Sequence, residues 1–390
     1  MMQNVDYYIP TRIVFGAGRL DELASLSLPG KKALICVTED KLMEKLGIQQ
    51  RVVELLGKNQ VAAVVFDQVQ PNPTSKGIMA AVALAKKEGC DFIIGLGGGS
   101  SIDTAKGVAI MMANQGDIWD YCDFGTGGRK KVENAFPVIA ISTTAGTGTE
   151  TDPYAVVTNE ETGEKFDFAV DAIFPRISII DPELSLSLPP FLTLSQGFDA
   201  LFHSAECYVS NGNQNRLIDL YATEAIRLIS ENLKKVLDDG KNVEARGNIA
   251  FAANVLGGFV QSLVFVTSHH LVGQALGGLF PKVPHGVSLI VTAKAYYSRV
   301  YQYLPKEFDD IGEIMGVKRD PSNPGAGFVA ALTKFMQETG ADKLKMSDYG
   351  VTRDKLAQVA HNTYHLAGLD CDRYKLSEQD LVEILEESFA

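Results

Sequence analysis

The amino-acid sequence predicts a two-domain protein, with an α/β domain built on a parallel sheet followed by an all-helical domain. Three observations lead to this fold class. Short, continuous apolar runs recur up to Asp181, segments with helical periodicity lie between them, and beyond Pro182 the periodicity is helical only. Strands buried on both faces have such unbroken apolar runs, so the N-terminal pattern indicates repeated βαβ units.

Five apolar runs are predicted to be the strands of this sheet. They span residues 33–37, 62–66, 92–96, 138–141 and 177–180. Between the second and third runs, the sequence from Gly77 has helical periodicity that ends in Gly89. Because glycine commonly follows the last residue of a helix, this segment is predicted to be a crossover helix. The α/β domain is placed at residues 1–185.

The helical domain is predicted to span residues 186–390. Pro189 and Pro190 mark its beginning, because consecutive prolines continue neither a strand nor a helix that has already begun. Helical periodicity is present in residues 196–209, 218–237, 243–265 and 327–339. Further on, Ser377 begins the sequence Ser-Glu-Gln-Asp ahead of an apolar stripe. That pattern predicts a capping box at the start of a last helix.

Composition excludes several classes of partner. The chain has 390 residues and a formal net charge of −12, which disfavours binding to nucleic acid or to an anionic membrane. No run of about 18 apolar residues indicates a transmembrane helix, and no basic segment precedes an apolar one near the N-terminus. The five cysteines are scattered and form no CxxC pair, so reduced thiols are expected. These features predict a cytoplasmic protein without nucleic-acid or membrane partners.

A glycine-rich turn follows the third predicted strand. Gly97, Gly98 and Gly99 precede Ser100, and a helical pattern begins directly after them. The N-terminus of a helix presents unpaired backbone N–H groups and a positive dipole end to a phosphate, and glycines allow its close approach. The segment is not the GxGxxG fingerprint, and a tight turn without a ligand is the alternative. In this context, it predicts a pyrophosphate site.

Two further segments are predicted to lie at the same edge of the sheet. Residues 143–149 are rich in threonine and glycine and follow the strand at 138–141. Ligands of open α/β sheets bind at the carboxyl ends of the strands. Glu39 and Asp40 follow the first predicted strand, where a carboxylate would bind a ribose 2′-hydroxyl and repel a 2′-phosphate. This favours NAD over NADP, the alternative being acidic residues that stabilise a helix start.

The second domain contains a candidate metal site. Asp199 and His203 are four residues apart, so a helix would present both side chains on one face. Alone this pair is a weak signal, but four of the six histidines lie between positions 203 and 285. His285 follows a proline and precedes Gly286, which leaves room around its imidazole. Carboxylate and imidazole ligands without a thiolate suit Fe(II), Zn(II) or similar ions.

His269 and His270 compete for the third imidazole position. Gln274 lies one helical turn after His270 and makes that face polar, whereas His269 shares its face with Gly273. His270 is therefore the predicted ligand. His269 is predicted either to support a ligand without binding the ion itself or to contact the cofactor. Phe198, Phe202, Phe265 and Leu271, which lie near the ligands in sequence, are either an apolar substrate pocket or ordinary core residues.

His361 and His365 form the remaining pair of histidines four residues apart. The pair lacks the glutamate of an HExxH site and lies in an amphipathic segment. A structural role is therefore predicted for both.

Taken together, these motifs resemble those of the group III, iron-containing alcohol dehydrogenases, which include 1,3-propanediol, butanol and lactaldehyde/propanediol dehydrogenases. The resemblance runs nearly end to end through segments in a constant order. They are PTRIVFGAG from Pro10, PNPT from Pro71, GGGSSIDTAKG from Gly97, TTAGTGTET from Thr143, Asp181-Pro182, GFDALFHSAECY from Gly197 and PHG from Pro284.

The resemblance implies a dehydroquinate-synthase-like fold, an N-terminal Rossmann-like NAD-binding domain, a cleft active site and a homodimer or higher homo-oligomer. It implies Fe(II), or alternatively Zn(II) or Mn(II), bound by Asp199, His203, His270 and His285. Cofactor contacts carry over onto eleven positions. These are Asp40, Asn72, Gly98, Gly99, Ser100, Asp103, Thr143, Thr144, Thr147, Lys165 and Leu192. Glu39 is the alternative to Asp40.

The expected reaction is reversible oxidation of a small primary alcohol or diol to an aldehyde with NAD. Three departures from the family pattern affect substrate range and the proton path: Gln274 replaces a histidine, residues 265–268 replace a glycine-rich approach, and residues 152–154 replace a threonine-containing segment. Gln274 can bind substrate or water but cannot relay a proton.

A glycerol-type polyol dehydrogenase is the nearer alternative. A dehydroquinate-synthase-like lyase would need several Lys or Arg side chains near the ligands to hold a phosphate and a carboxylate. Only Lys282 and Lys294 are close in sequence, so the sequence disfavours this alternative.

Overall fold

The computed structural model describes residues 5–212 and 214–389, and these form two compact units. Residues 9–187 make up one unit, and the described residues from Leu188 onward make up the other together with residues 5–8. Tyr7, for example, packs its ring against Tyr221 and Phe259. Each unit has its own buried core.

The first unit is an α/β unit. Among the described residues its strands are β1 (Arg12–Phe15), β2 (Lys32–Thr38), β3 (Ala62–Val69), β4 (Phe92–Gly97), β5 (Val138–Ser142), β6 (Tyr154–Asn159), β7 (Glu164–Ala169) and β8 (Ile177–Ile180). Six of them form one sheet in the order β1-β8-β5-β4-β2-β3, and every neighbouring pair is parallel. β6 and β7 form a separate antiparallel pair. The predicted parallel α/β fold is confirmed, and β1 and the hairpin are additions to it.

The α-helices in the described part of this unit are α1 (Leu42–Lys45), α2 (Ile48–Lys58), α3 (Ser75–Glu88) and α4 (Gly99–Ala113). The predicted crossover helix is α3. Thr74 caps it by accepting a hydrogen bond from the Gly77 N–H, and Gly89, with a φ of +68°, ends it in the left-handed conformation that favours glycine. β4 is buried along its whole length, which explains its unbroken apolar sequence.

The second unit is helical. Its α-helices are α5 (Pro190–Val209), α6 (Arg216–Asp238), α7 (Val243–Ala250), α8 (Gly258–Gln261), α9 (Ser268–Leu279), α10 (His285–Val300), α11 (Pro305–Ile314), α12 (Ala326–Thr339), α13 (Leu356–Asn362) and α14 (Glu378–Ser388). The predicted helix at 243–265 is divided, because Phe251–Gly257 is π-helical between α7 and α8. The Ser377 capping box at the start of α14 is present. In the described part of this unit, extended pairing is confined to an isolated bridge between Ser210 and Asp372.

The described helices of both units are too short or too polar to cross a membrane. Across the described ranges, none combines the length and the apolar character that a bilayer span requires.

Candidate active site

Three helices of the second unit bring the predicted metal ligands together. α5 carries Asp199 and His203, whose spacing of four residues places them on one face. α9 carries His270, and His285 is the first residue of α10. The start of α10 lies directly against α5, because a Cβ atom at Gly286 would be 2.1 Å from the carbonyl oxygen of Ser195. Glycine is therefore required beside His285.

The imidazoles surround one oxygen of Asp199. Its Oδ1 lies 3.5 Å from Nε2 of His270, 3.5 Å from Nε2 of His285 and 3.7 Å from Nδ1 of His203. The rings of His203 and His270 are stacked with centroids 4.2 Å apart. Asp199, His203 and His270 are buried, whereas the His285 side chain is 24% exposed. His285 is therefore the most exposed of the four predicted ligands.

Charge is distributed unusually in this cluster. Burial alone would raise the pKa of the Asp199 carboxyl, but the neighbouring imidazoles of His203, His285 and His270 outweigh it and hold that pKa far below its usual range. Burial lowers the pKa of His270, yet the carboxylates of Glu206 and Asp199 raise it to about 9. Since an imidazole nitrogen binds a metal ion only without its proton, the raised pKa sets metal binding at His270 in competition with protonation.

Glu206 is a candidate site residue that the sequence did not single out. It is fully buried, and its Oε1 lies 2.7 Å from Nδ1 of His270 and 3.0 Å from Nδ1 of His269. Its Oε2 accepts hydrogen bonds from the N–H and the hydroxyl of Thr267. Holding Nδ1 of His270 turns Nε2 toward Asp199 and fixes the ring orientation. The signal was present in the sequence, because Glu206 follows Asp199 by seven residues and so lies on the same face of α5.

His269 faces away from this cluster. Its Nε2 lies 3.1 Å from both the Leu289 carbonyl oxygen and the Thr292 hydroxyl. Its ring packs edge-on against Phe202, with centroids 4.8 Å apart. Both nitrogens of His269 thus have protein partners, because Nδ1 contacts Glu206. The geometry favours His270 as the third imidazole ligand.

The residues fit a divalent transition-metal ion. Asp199 Oδ1 and His270 Nε2 are buried and form no hydrogen bond with any described residue. Burying such polar atoms without hydrogen-bond partners is costly. Two of them that face the same point therefore indicate that a ligand binds between them. Ligand atoms of Asp199, His203 and His270 all lie within 4.8 Å of one another. One carboxylate and three imidazoles match the preferences of Fe(II) and Zn(II).

Other residues predicted near the ligands have mixed outcomes. Gln274 is buried, and its Oε1 has no hydrogen-bond partner among the described residues, so it is available to a ligand. Phe198 and Phe202 are fully buried in the core, where Phe198 packs against Phe335. Phe265 is 61% exposed. Neither Phe198 nor Phe202 is therefore open to substrate.

In the first unit, the predicted cofactor segments follow four strands of the parallel sheet. Asp40 comes after β2, Asn72 after β3, the turn at Gly98 after β4 and the turn at Thr143 after β5. All four therefore lie at the carboxyl edge of the sheet, where nucleotides bind in this class of fold. The exposed carboxylate of Asp40 accepts hydrogen bonds from the Thr38 hydroxyl and from the Leu42 N–H.

The two glycine-containing turns are packed directly against each other. A Cβ atom at Gly98 would lie 2.9 Å from Cγ2 of Thr144, and one at Gly99 would lie 2.8 Å from Cγ2 of Thr147. The Thr143 N–H donates to the Gly97 carbonyl oxygen across the adjacent strand ends. Gly98 is the N-cap of α4, a 15-residue helix. Its backbone N–H groups and dipole favour a phosphate beside the threonine hydroxyls.

The remaining predicted cofactor contacts differ in their surroundings. Lys165 on β7 donates to Oδ1 of Asn72, whose φ is +60°. Both oxygens of Asp103 accept hydrogen bonds within the protein, from the Thr149 hydroxyl and the Val156 N–H. Burial raises the pKa of Asp103 to about 6. Ser100 lies in the first turn of α4, and Leu192 lies in the first turn of α5, in the other unit.

Lys106 is a second residue that sequence reasoning missed. It is fully buried on α4, and its Nζ donates to the Thr149 hydroxyl, to the carbonyl oxygen and Oδ1 of Asp152 and to the Tyr154 carbonyl oxygen. Lys106 therefore ties the segment that follows the second turn to the helix that follows the first. A buried lysine is rare unless it is paired, so the sequence alone did not single it out.

Comparison with known proteins identifies the family. A model of the family described as iron-containing alcohol dehydrogenase matches residues 10–182. A second model, described as Fe-containing alcohol dehydrogenase family, C-terminal, matches residues 193–389. The chain belongs to the iron-containing alcohol dehydrogenase family.

Individual relatives agree with this assignment. The 1,3-propanediol dehydrogenase of Klebsiella pneumoniae is 31% identical over 98% of this chain and 98% of that protein. Alcohol dehydrogenase 4 of Schizosaccharomyces pombe is 38% identical over 72% of this chain, a match that spans 65% of that protein. The crystal structure of NADH-dependent butanol dehydrogenase A from Thermotoga maritima superposes with a TM-score of 0.90 and 27% identity over 100% of this chain and 99% of that one.

The chain is therefore an oxidoreductase, and the family resemblance inferred from its sequence is confirmed. The predicted fold class agrees with that of its structural neighbours. The predicted cofactors, iron and NAD, agree with the family, with the NADH dependence of the Thermotoga enzyme and with the cluster around Asp199.

Proposed function

We propose that this iron-containing alcohol dehydrogenase transfers hydride between NAD and a small primary alcohol or diol, with Fe(II) held by Asp199, His203, His270 and His285. The convergence of three imidazoles on the Oδ1 atom of buried Asp199 carries this proposal. Zn(II) and Mn(II) are the alternative ions. A divalent ion bound there supplies a Lewis acid, which lowers the pKa of an alcohol hydroxyl and polarises an aldehyde carbonyl.

The side chains of the cluster have separate tasks in this proposal. Asp199 supplies the negative charge, and burial of Asp199, His203 and His270 keeps bulk water from their donor atoms. Glu206 orients His270 through Nδ1. The exposed side of His285 is where the substrate enters. Bound NAD would supply the acceptor for the hydride from the alcohol carbon, and the hydroxyl proton would leave to solvent.

Gln274 is assigned a hydrogen-bonding role. It lies one turn after His270 on α9, and its Oε1 has no partner within the described chain. A glutamine side chain can accept a hydrogen bond from a substrate hydroxyl or from water, but it does not exchange protons near neutral pH. We therefore assign Gln274 to binding rather than to proton transfer.

The cofactor is assigned to the carboxyl edge of the parallel sheet. Gly98, Gly99 and Ser100 at the start of α4 would bind the pyrophosphate, and the adjacent Thr143, Thr144 and Thr147 would supply hydroxyl groups. Asn72 and Lys165, which are hydrogen-bonded to each other, extend this surface. Asp40, or Glu39 beside it, would bind the ribose 2′-hydroxyl and so select NAD.

Two further contacts belong to this assignment. Asp103 supports the cofactor turn from α4 through its bond to Thr149. Leu192, in the first turn of α5, would contribute an apolar contact. We also propose that the enzyme is cytoplasmic and forms a homodimer or a higher homo-oligomer. The family resemblance is what supports the expected association.

The test is an assay of NADH formation after the metal is removed and then restored. Ethanol, butanol, 1,2-propanediol, 1,3-propanediol and glycerol are compared after loading with Fe(II), Zn(II) or Mn(II). We expect the enzyme to oxidise the short primary alcohols or diols. The rate should be highest with Fe(II), and a chelator should abolish it. If no alcohol or aldehyde reacts with any of these metals, the proposal is wrong.

A further inference from the structure

A second cluster of potential metal ligands lies on the surface of the helical unit. His361 is in α13, and His365 is in the π-helical segment Thr363–Ala367 that continues it. Glu378 is the first residue of α14. The sequence shows only the histidine pair, and folding adds a carboxylate from a different helix. None of these three residues is part of the candidate active site.

The three side chains already converge on one point. Nδ1 of His361 lies 3.1 Å from one carboxylate oxygen of Glu378, and Nε2 of His365 lies 3.0 Å from the other. The two imidazole centroids are 4.5 Å apart. One ligand atom from each residue can be chosen so that all three lie within 4.8 Å of one another. Small rotations of exposed side chains would bring them to bonding distance from one ion.

The position of Glu378 is well defined by its surroundings. Ser377 caps α14, since its hydroxyl accepts from the Asp380 N–H while the Asp380 carboxylate accepts from the Ser377 N–H. This reciprocal capping box holds the backbone immediately before Glu378. The carboxylate is therefore presented to the histidine pair from a structured helix start.

We propose that His361, His365 and Glu378 form a surface site for a divalent transition-metal ion such as Zn(II), distinct from the candidate active site. Two imidazoles and one carboxylate are the ligands that Zn(II) prefers when no thiolate is present, and water completes the coordination. The side chains of His361 and His365 are 57% and 47% exposed, so an ion reaches them without any rearrangement of the core. The structural role predicted for the histidine pair from the sequence stays a prediction, and the proposed metal site differs from it.

An ion at this site would connect α13 and its π-helical continuation to α14. Because the three ligands come together only in the folded chain, binding stabilises the folded state by mass action. The site also changes metal stoichiometry, since the enzyme would bind Zn(II) in addition to the ion in its candidate active site.

The proposal is tested by calorimetric titration of Zn(II) into the holoenzyme, purified without a histidine tag, while its iron content is followed in parallel. We expect one additional Zn(II) per chain with no loss of iron. His361→Ala and His365→Ala should each abolish this binding. Glu378→Gln should weaken it by at least about tenfold, since even loss of a group behind a ligand costs 10–100-fold.

Glu387→Gln, an exposed change on the same helix, is the matched control and should bind Zn(II) as the unmodified chain does. The proposal is overturned if the unmodified holoenzyme binds no additional Zn(II), or if the His361→Ala and His365→Ala variants bind it equally well. Zn(II) uptake that is matched by iron release would reveal exchange at the candidate active site and would also overturn it. All these readouts are independent of alcohol oxidation, so the proposed function can fail without affecting them.

Discussion

Two clusters in the helical unit contain the same kinds of ligand but differ in how their donor atoms are satisfied. Around Asp199 the carboxylate and the imidazoles are mostly buried, and Asp199 Oδ1 and His270 Nε2 have no hydrogen-bond partner in the described structure. Around Glu378 both histidines are exposed and each contacts the carboxylate at a normal hydrogen-bond distance. In the first cluster two donor atoms need a ligand to satisfy them, whereas in the second the side chains satisfy one another and are open to water.

The difference shows what burial contributes to a metal site. At Asp199 the protein bears the cost of desolvating the donor atoms, and a bound ion adds to the stabilisation that the neighbouring imidazoles already give the carboxylate. At Glu378 water competes for every donor, so the ion must displace water and an existing hydrogen bond. The buried cluster should therefore bind its ion far more tightly than the surface cluster does. Support from Glu206, which fixes the orientation of His270, strengthens this contrast.

The largest expected effect comes from neutralising the central carboxylate. Asp199→Asn preserves shape but removes the negative charge that three imidazoles surround. Tight metal binding should be lost, and kcat/KM should fall by roughly a thousandfold or more, because the ion stabilises transition-state charge by several kcal/mol. Metal content and steady-state rates measure this.

The matched control is Asp309→Asn, which changes another buried aspartate of the helical unit whose oxygen accepts from the Gly327 N–H. It should retain the metal and the activity of the folded enzyme. Equal metal content in the Asp199→Asn and the unmodified enzyme would contradict the assignment.

A smaller effect is expected from the residue behind His270. Glu206→Gln replaces the carboxylate with a neutral amide. The carboxylate accepts a hydrogen bond from Thr267 and contacts both His269 and His270. The tight metal affinity should fall by about 10–100-fold, the usual cost of losing such a group. Competition with a chelator measures the affinity.

Glu378→Gln is the comparison for Glu206→Gln, because it makes the same chemical change in the surface cluster. It should leave the tight affinity unchanged. A positioning role for Glu206 would be refuted if Glu206→Gln lost stability but bound the tight ion as well as the unmodified enzyme.

The smallest expected effect concerns a buried carboxyl without imidazole neighbours. Burial raises the pKa of Glu150 to about 7, although the Ser142 hydroxyl contacts it. Because the pKa of Glu150 is higher in the folded chain than in the unfolded chain, the free energy of unfolding falls as the pH rises from the unfolded pKa through the folded one, at about 7. Between pH 6 and pH 8 the loss should be about 1 kcal/mol.

Thermal unfolding of Glu150→Gln and the unmodified enzyme at several pH values isolates this contribution. The variant should gain stability relative to the unmodified enzyme as pH rises. A stability difference that did not change with pH would show that Glu150 is ionised throughout, as Asp199 is among its imidazoles.

Much of this arrangement was predictable from the sequence. The five predicted strands are present as β2, β3, β4, β5 and β8, because continuous apolar runs are characteristic of a sheet buried on both faces. Helical spacing placed Asp199 and His203 on one face, and the order of parallel strands placed Gly98 near Thr144.

Other features depend on tertiary contacts that local patterns do not encode. β1 is only four residues long, and the hairpin of β6 and β7 contains charged side chains such as Glu164 and Asp167. Glu206 was missed because a glutamate in a helix is normally exposed. Glu378 joins His361 and His365 only when α14 packs beside α13.

The central claim is that Asp199, His203, His270 and His285 bind the catalytic ion. Anomalous diffraction at the iron absorption edge, from crystals of the Fe(II)-loaded enzyme, tests it most directly. The account predicts an anomalous peak about 2.0–2.2 Å from Asp199 oxygen and from one nitrogen of each of the three histidines, as is usual for such ligands. A peak bonded to His269, or the absence of a peak beside Asp199 in active enzyme, would contradict it.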